Sequence, residues 1–98
     1  MARTKTLLVG TPPYQVEKSL RRLGGNLRTA RLRRNLTLTD VAQRIGTGTR
    51  AITDAEKGRP GTAGAVYVAL LWVYDLMEPL AALADPARDL VGLGNRAA

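Results

Sequence analysis

Residues 37–58 read TLTDVAQRIGTGTRAITDAEKG, and this stretch decides the fold. Its first four residues match a capping box, in which the Thr37 hydroxyl accepts a hydrogen bond from the backbone N–H of Asp40 and the Asp40 carboxylate reaches back. A helix is therefore predicted to run from residue 38 to Ile45. Gly46 ends this helix, because the residue after a helix often adopts a positive φ. The apolar residues of the helix share one face: Leu38, Val41, Ala42 and Ile45.

A second short helix is predicted at residues 49–57, after a turn at residues 47–48. Ile52 and Ala55 give the second helix an apolar face towards the first, and the small Ala42 lets two short helices cross at a steep angle. The pattern is that of a helix-turn-helix, whose second helix keeps its other face free. That free face carries four polar residues: Thr49, Arg50, Thr53 and Lys57.

The chain before this motif is predicted to form an arm and a long helix. Residues 1–13 form the arm, in which residues 7–9 could make a short strand that pairs with a partner chain or stays disordered. A helix is predicted at residues 14–34. Gly24-Gly25 lies inside it and costs about 1 kcal/mol per glycine relative to alanine, so a kink or two shorter helices is an alternative. The helix has a regular apolar stripe: Val16, Leu20, Leu23, Leu27 and Ala30.

The chain after the motif is predicted to contain two more helices and a tail. A loop at residues 59–61 leads into an apolar helix at residues 62–74, and a fifth helix ends near Ala84. The Gly-rich end is predicted to be weakly structured. The predicted architecture is all-α, with a five-helix helix-turn-helix domain (residues 14–84) between the arm (1–13) and the C-terminal tail (85–98).

The charge is concentrated in the first part of the chain. Residues 1–60 carry thirteen Lys or Arg and four Asp or Glu, which gives +9, and residues 61–98 carry two and four, which gives −2. These values sum to the net charge of +7. Such a basic region is expected to bind a polyanion, although a basic surface that is only solvated is the alternative.

The composition argues against an enzyme or a membrane protein. The chain has no Cys and no His, so it lacks thiolate chemistry and the commonest general base and metal ligand. The glycines at 46 and 48 do not complete a nucleotide-binding fingerprint, and Asp85 and Asp89 have no third ligand beside them. The longest apolar run, residues 65–74, is half of what a bilayer requires. No catalysis, cofactor or metal is expected, and the location is expected to be cytoplasmic.

Taken together, the motif residues resemble the XRE family, the Cro and phage-repressor type of helix-turn-helix protein. The resemblance covers about residues 20–75. It is carried by the following residues: Leu27-Arg28-x-Ala30-Arg31, Leu36-Thr37, Val41-Ala42, Ile45-Gly46, Ile52 and Glu56-Lys57-Gly58. It implies a repressor-like fold and sequence-specific DNA binding that regulates transcription. Three residues depart from the family pattern: Leu38 where Gln is usual, Gly48 where a Ser cap is common, and Asp54 where a basic or polar residue is usual.

The resemblance implies which residues contact DNA. Thr49, Arg50 and Thr53 are expected at base edges, although Arg50 could instead contact a phosphate. Lys57 and Arg44 are expected on phosphates. Two further DNA contacts are expected, Thr39 and Arg28. Arg31 and Glu56 are expected to pair with each other across two helices, which is a structural role.

A narrower resemblance implies a partner. Residues 66–72 and the run Leu80-Ala81-x-Leu83-Ala84-Asp85-Pro86-x-x-Asp89 are similar to HipB-type antitoxins, which act beside HipA-like Ser/Thr kinase toxins. The chain would then be an autorepressing antitoxin whose tail orders on the kinase. Two alternatives stay open, a stand-alone repressor without a toxin and a protein-interaction module with weak DNA binding.

A homodimer is also expected, because one short recognition helix reads too few base pairs and family members bind paired half-sites. Its interface is predicted to use the fourth and fifth helices, with the strand at residues 7–9 as an addition. The apolar residues expected there are Val66, Leu70, Val73, Tyr74, Leu76, Met77, Leu80 and Leu83. The aromatic residues Tyr67, Trp72 and Tyr74 are expected in core or dimer packing.

Overall fold

The structure is a computed structural model that describes residues 7–95, apart from the side chains of Leu93 and Asn95. All regular secondary structure in that range is helical, so the predicted all-α fold is confirmed. After a short helical stretch at residues 7–10, the helices are α1 (Tyr14–Arg33), α2 (Leu38–Ile45), α3 (Thr49–Glu56), α4 (Gly64–Val73), a 3₁₀ helix (Glu78–Ala82) and α5 (Leu90–Asn95).

The local signals around α2 are confirmed. The Thr37 hydroxyl accepts from the backbone N–H of Asp40 at 3.0 Å, and the Asp40 carboxylate accepts from the N–H of Thr37 at 2.9 Å. These hydrogen bonds, chiefly the one from the Thr37 backbone, hold the pKa of Asp40 below its usual range. Gly46 ends the helix with a φ of 75°, a conformation that glycine adopts without steric cost.

The core lies where α1 to α4 meet. α3 packs against α1, α2 and α4, and α2 also packs against α4. The largest fully buried side chains come from all four helices and from the end of α4: Leu27, Val41, Ile52, Leu70 and Tyr74. Ala42 and Ala55 are buried with them, so small residues lie where the short helices approach one another.

α1 is one continuous helix, so the alternative of two shorter helices is wrong. A β-carbon on Gly24 would lie 2.7 Å from the carbonyl oxygen of Glu56 and 2.8 Å from the backbone nitrogen of Gly58. Gly58 has a φ of 69°, and a β-carbon there would lie 2.5 Å from the carbonyl oxygen of Leu20. Glycine is therefore required at both positions for α1 to touch the end of α3.

One prediction about the ends of the chain is wrong, the short strand at residues 7–9. Residues 7–10 are helical, and the Thr11 backbone N–H and hydroxyl both donate to the carbonyl oxygen of Leu7, at 2.7 and 3.0 Å. Residues 7–9 therefore form no strand, since a helix pairs its backbone groups locally and a lone strand cannot. The tail contains α5, although Leu90 and Val91 stay exposed on it.

The structure corrects two predictions about the last helices, the exposure of two dimer residues and the type of the fifth helix. Leu70 and Tyr74 are 0% and 1% exposed, because they fill the core of a single copy. Neither residue is available to a partner chain. The predicted fifth helix is the short 3₁₀ helix, which begins after a left-handed residue, Asp75, with a φ of 58°.

Candidate nucleic-acid interface

The outward face of α3 is the best candidate for a recognition surface. Ile52 and Ala55 are fully buried, which fixes the helix's rotation about its axis. The opposite face carries the residues predicted from the sequence. Thr49, Arg50 and Lys57 are exposed and Thr53 is half-buried.

The N-terminus of α3 has no side-chain cap. Gly48 occupies the N-cap position, and its backbone carbonyl accepts from the N–H of Ala51 at 3.2 Å. The first N–H groups of a helix have no partner within the helix, and here the cap residue has no side chain to satisfy them. Because the helix dipole favours negative charge at this end, the replacement of a Ser cap by Gly48 leaves the N–H groups available to a phosphate.

Asp54 does not stand alone on the surface of α3. Its carboxylate forms an ion pair with Arg59, whose Nε lies 3.2 Å from Oδ1, and both side chains are partly exposed. The ion pair offsets the negative charge that the sequence placed among the expected DNA contacts. The cost of a carboxylate near phosphates is correspondingly smaller, although exposed pairs of this kind add little to stability.

α2 contributes the next two predicted contacts. Thr39 in the first turn and Arg44 in the last turn are both exposed. Leu38, where the family usually has Gln, is half-buried and packs against the core. This departure from the family pattern therefore replaces a polar group with packing.

The α1 arginines divide into two groups. Arg28 is exposed on α1. Arg31 is buried and bonds both oxygens of Glu56, from Nε at 2.6 Å and Nη2 at 3.0 Å. The predicted Arg31–Glu56 pair is thus found, and its hydrogen bonds raise the pKa of the Arg31 guanidinium.

Sequence reasoning missed a basic cleft beside the end of α3. The cleft has a volume of about 420 Å³ and is lined by Arg21, Lys57 and Arg59 together with Gly10 and Glu17. Glu17 pairs with Arg21 at 2.7 Å. No sequence signal placed Arg21 and Arg59 next to Lys57, because they are brought together by the glycine-mediated approach of α1 to α3.

Residues 7–95 lack two further features, a cluster of metal ligands and a membrane-spanning helix. No three acidic side chains come together there as a group able to hold a metal ion. No helix within the same range has the length and apolar character needed to cross a membrane.

The family comparison agrees with the geometry. The family model described as a helix-turn-helix domain matches residues 22–84, which include α2, the turn and α3. No significant match is found among curated proteins or among solved structures. Because the family model covers more than half of the chain, the chain belongs to the family of helix-turn-helix domains, a class of DNA-binding domains.

Proposed function

We propose that the protein is a sequence-specific transcriptional regulator that places α3 in the major groove of operator DNA. The observation that carries this proposal is the position of α3, which packs against three other helices and still presents one polar face to solvent. A major groove admits one α-helix, and packing on three neighbours holds this helix rigidly for that purpose.

The residues of α3 differ in what they can read. The Arg50 guanidinium can donate two hydrogen bonds to one guanine, which distinguishes bases. Thr49 and Thr53 can reach other base edges. Lys57 has a compact ammonium group and lies at the end of the helix beside the basic cleft, so we assign it to a phosphate.

Contacts outside α3 would fix the register of the protein on the duplex. Arg44 and Thr39 on α2 are exposed and can approach the DNA backbone. Arg28 on α1 is a further candidate for a phosphate. The charge of +9 on residues 1–60 supports a polyanion as the partner.

We propose further that two copies act together. One short helix contacts few base pairs, and helix-turn-helix proteins commonly gain specificity by binding two half-sites as a two-fold dimer. A homodimer is also a common source of stability for a chain of this length.

A HipA-like kinase partner stays a prediction from the sequence. The comparisons support the helix-turn-helix family alone, and α5 exposes Leu90 and Val91 without showing what would cover them. The regulator without a toxin is therefore the function we propose. Co-purification with the product of the adjacent gene would support the antitoxin instead.

The proposed function is tested by a gel shift with the region upstream of the protein's own operon, followed by footprinting to define the operator. Arg50→Ala is expected to cost about 1–3 kcal/mol on the operator and to relax discrimination at one base pair. Lys57→Ala is expected to weaken binding to all sequences alike and to reduce the dependence on salt by about one phosphate contact.

Arg22→Ala is the matched control for both variants. It removes the same charge, but Arg22 is exposed and lies nine residues from Arg31, which is half a turn away on the helix, so it faces away from α3. Equal binding by the Arg50→Ala variant and the parent would contradict α3 as the reading helix. Absence of binding to any duplex would favour a protein-interaction module.

A further inference from the structure

α4 carries an apolar face that a single copy leaves uncovered. Its sequence, GAVYVALLWV, contains no charged residue. Tyr67 and Leu70 are buried in the core, but Val68 is 37% and Trp72 is 63% exposed on the other side. A helix that is apolar all round is normally buried all round, so this outer face is a candidate contact surface.

An apolar groove lies beside that face. It has a volume of about 320 Å³ and runs between α1, α4 and the 3₁₀ helix. Leu71 lies in the groove and is three residues from Val68, so the groove adjoins the outer face of α4. The apolar residues that line it include Leu23, Leu71, Leu76, Pro79, Leu80 and Leu83.

The groove is open and lacks a side chain to fill it. Leu83 on its edge is 69% exposed, and Leu76 is 38% exposed. The lining residues carry no charge, and Asn26 is the polar one among them. A charged partner would find nothing to pair with in the groove, whereas an apolar side chain would gain burial.

We infer that Trp72 of each copy inserts into the groove of a second copy, and that this exchange forms the dimer. The inference rests on the proposed function for its need of two copies. A projecting Trp72 and an open groove on adjoining surfaces of one chain are self-complementary. A two-fold axis therefore makes the same contact twice, as isologous interfaces require.

The lack of charge on α4 and in the groove also suits a contact between two identical surfaces. A two-fold axis brings identical patches together, so a charged patch would suffer electrostatic repulsion between its two copies. A patch without charge avoids this repulsion. Tryptophan is among the residues that most often dominate binding at interface centres, where it fills a pocket from which water is excluded.

Trp72 is the only tryptophan in the chain, so its fluorescence reports directly on this contact. A dilution series of the intact protein is measured by emission, acrylamide quenching and sedimentation velocity. We expect emission to shift to the blue and quenching to fall over the same concentration range in which the mass doubles. A monomeric mass throughout, or a dimer whose tryptophan stays fully open to the quencher, would overturn the inference.

Two variants separate the two halves of the contact. Trp72→Ala removes the inserting side chain, and Leu83→Asp puts a charge at the edge of the groove. Both residues are mostly exposed, so circular dichroism is expected to show an unchanged fold. Each variant alone is expected to raise the dimer dissociation constant by about 30-fold or more.

Mixing the two variants gives a sharper result. The Trp72→Ala copy keeps an intact groove and the Leu83→Asp copy keeps its tryptophan, so their heterodimer retains one of the two contacts. We expect mixed dimers at concentrations where neither variant dimerises alone. No gain on mixing would contradict reciprocal insertion.

Leu32→Ala is the matched control. Leu32 is 47% exposed and lies nine residues from Leu23, so it is on the far side of α1 from the groove. It should leave the dimer unchanged. Binding of Trp72→Ala to a single half-site tests the proposed function separately, because a copy that cannot dimerise can still place α3 on one half-site.

Discussion

At the scale of single residues, the contact between Arg34 and Tyr74 joins the end of α1 to the end of α4, although no local sequence motif predicts it. Arg34 donates to the carbonyl oxygens of Ala30 and Tyr74, both at 2.9 Å, and its guanidinium carbon lies 5.5 Å from the centre of the Tyr74 ring. Arg34 thereby satisfies a carbonyl at the end of α4, which would otherwise have no partner in the helix.

The hydroxyl of Tyr74 is the weak point of this arrangement, because it is buried and has no hydrogen-bond partner among the described residues. Tyr74→Phe removes the unpaired group and keeps the ring beneath Arg34. We expect the free energy of unfolding at pH 7 to stay the same or to rise by about 1 kcal/mol. Urea denaturation measures it, and a clear loss of stability would show that the hydroxyl has a partner.

The same variant should change the response to alkaline pH. Burial raises the pKa of Tyr74 to about 12, while the pKa of an unfolded tyrosine is about 10. Below about pH 10 the hydroxyl is protonated in both states and stability does not depend on its ionisation, whereas at higher pH the unfolded state ionises first, so stability falls as the pH rises through 12. Between these values the parent should lose stability relative to Tyr74→Phe, while Tyr14→Phe, at an exposed residue, should follow the parent.

At the scale of elements, the contact between α1 and α3 holds α3, the helix proposed to read DNA, in place. Gly24 and Gly58 let the two backbones touch. The Arg31–Glu56 pair then joins the two helices, and Arg31 also donates to the carbonyl oxygen of Leu36 at 3.1 Å. One arginine therefore links α1 to α3 and to the residues that lead into α2.

Breaking the Arg31–Glu56 pair should be costly. The two side chains are 10% and 7% exposed, and Glu56→Gln leaves the Arg31 charge buried without its counter-ion. We expect a loss of about 3–5 kcal/mol, which is much of the stability of a small domain. Thermal and urea denaturation followed by circular dichroism measure the loss.

A double variant separates the cost of an unpaired charge from the value of the pair. Arg31→Met combined with Glu56→Leu replaces the pair by apolar side chains of similar size. Such replacements are often neutral, so the double variant should be more stable than Glu56→Gln. If it is the less stable of the two, the pair itself contributes to stability, and the hydrogen bond to Leu36 is the first contact to examine.

The elements predicted well are those with local causes. The capping box at Thr37 and the left-handed Gly46 depend on residues within one turn of the helix, so the sequence was sufficient to place α2 and the start of the motif. The burial of Ile52 and Ala55 follows from spacing alone, which also placed the polar face of α3.

The elements predicted poorly depend on distant contacts. Gly24 looked like a defect in α1 because its reason, the backbone of α3, lies more than 30 residues away. The role of Arg34 could not be predicted from its neighbours in sequence, because its partner Tyr74 is 40 residues away. Leu70 and Tyr74 could not be separated from the exposed Trp72, since α4 is apolar on every side and gives no periodic signal.

At the scale of the whole molecule, the proposed DNA-reading and dimerisation surfaces lie on different helices. The polar face of α3 carries the expected DNA contacts, and the outer face of α4 carries Trp72. A dimer held through Trp72 would fix the distance and the rotation between its two α3 helices. The two half-sites of an operator would then have to lie about one helical turn apart, roughly 34–36 Å.

The spacing of the half-sites provides the last prediction. Adding about five base pairs between them turns one half-site to the opposite face of the duplex, since a turn takes about 10–10.5 base pairs. A rigid dimer then reaches only one half-site, so its affinity should fall to that of a duplex with a single half-site. Fluorescence anisotropy with a series of spacings measures this fall.

Adding a full turn provides the control for the spacing series. It returns both half-sites to the same face of the duplex but places them about 34 Å farther apart. A rigid dimer, in which the distance between the two α3 helices is fixed, cannot span this larger distance. Affinity should therefore stay low, whereas flexibly joined copies would recover it. Two independent monomers would bind with the same affinity at every spacing, because each would bind its half-site alone. That result would contradict a dimer on DNA, but it would leave the proposal that α3 reads DNA intact.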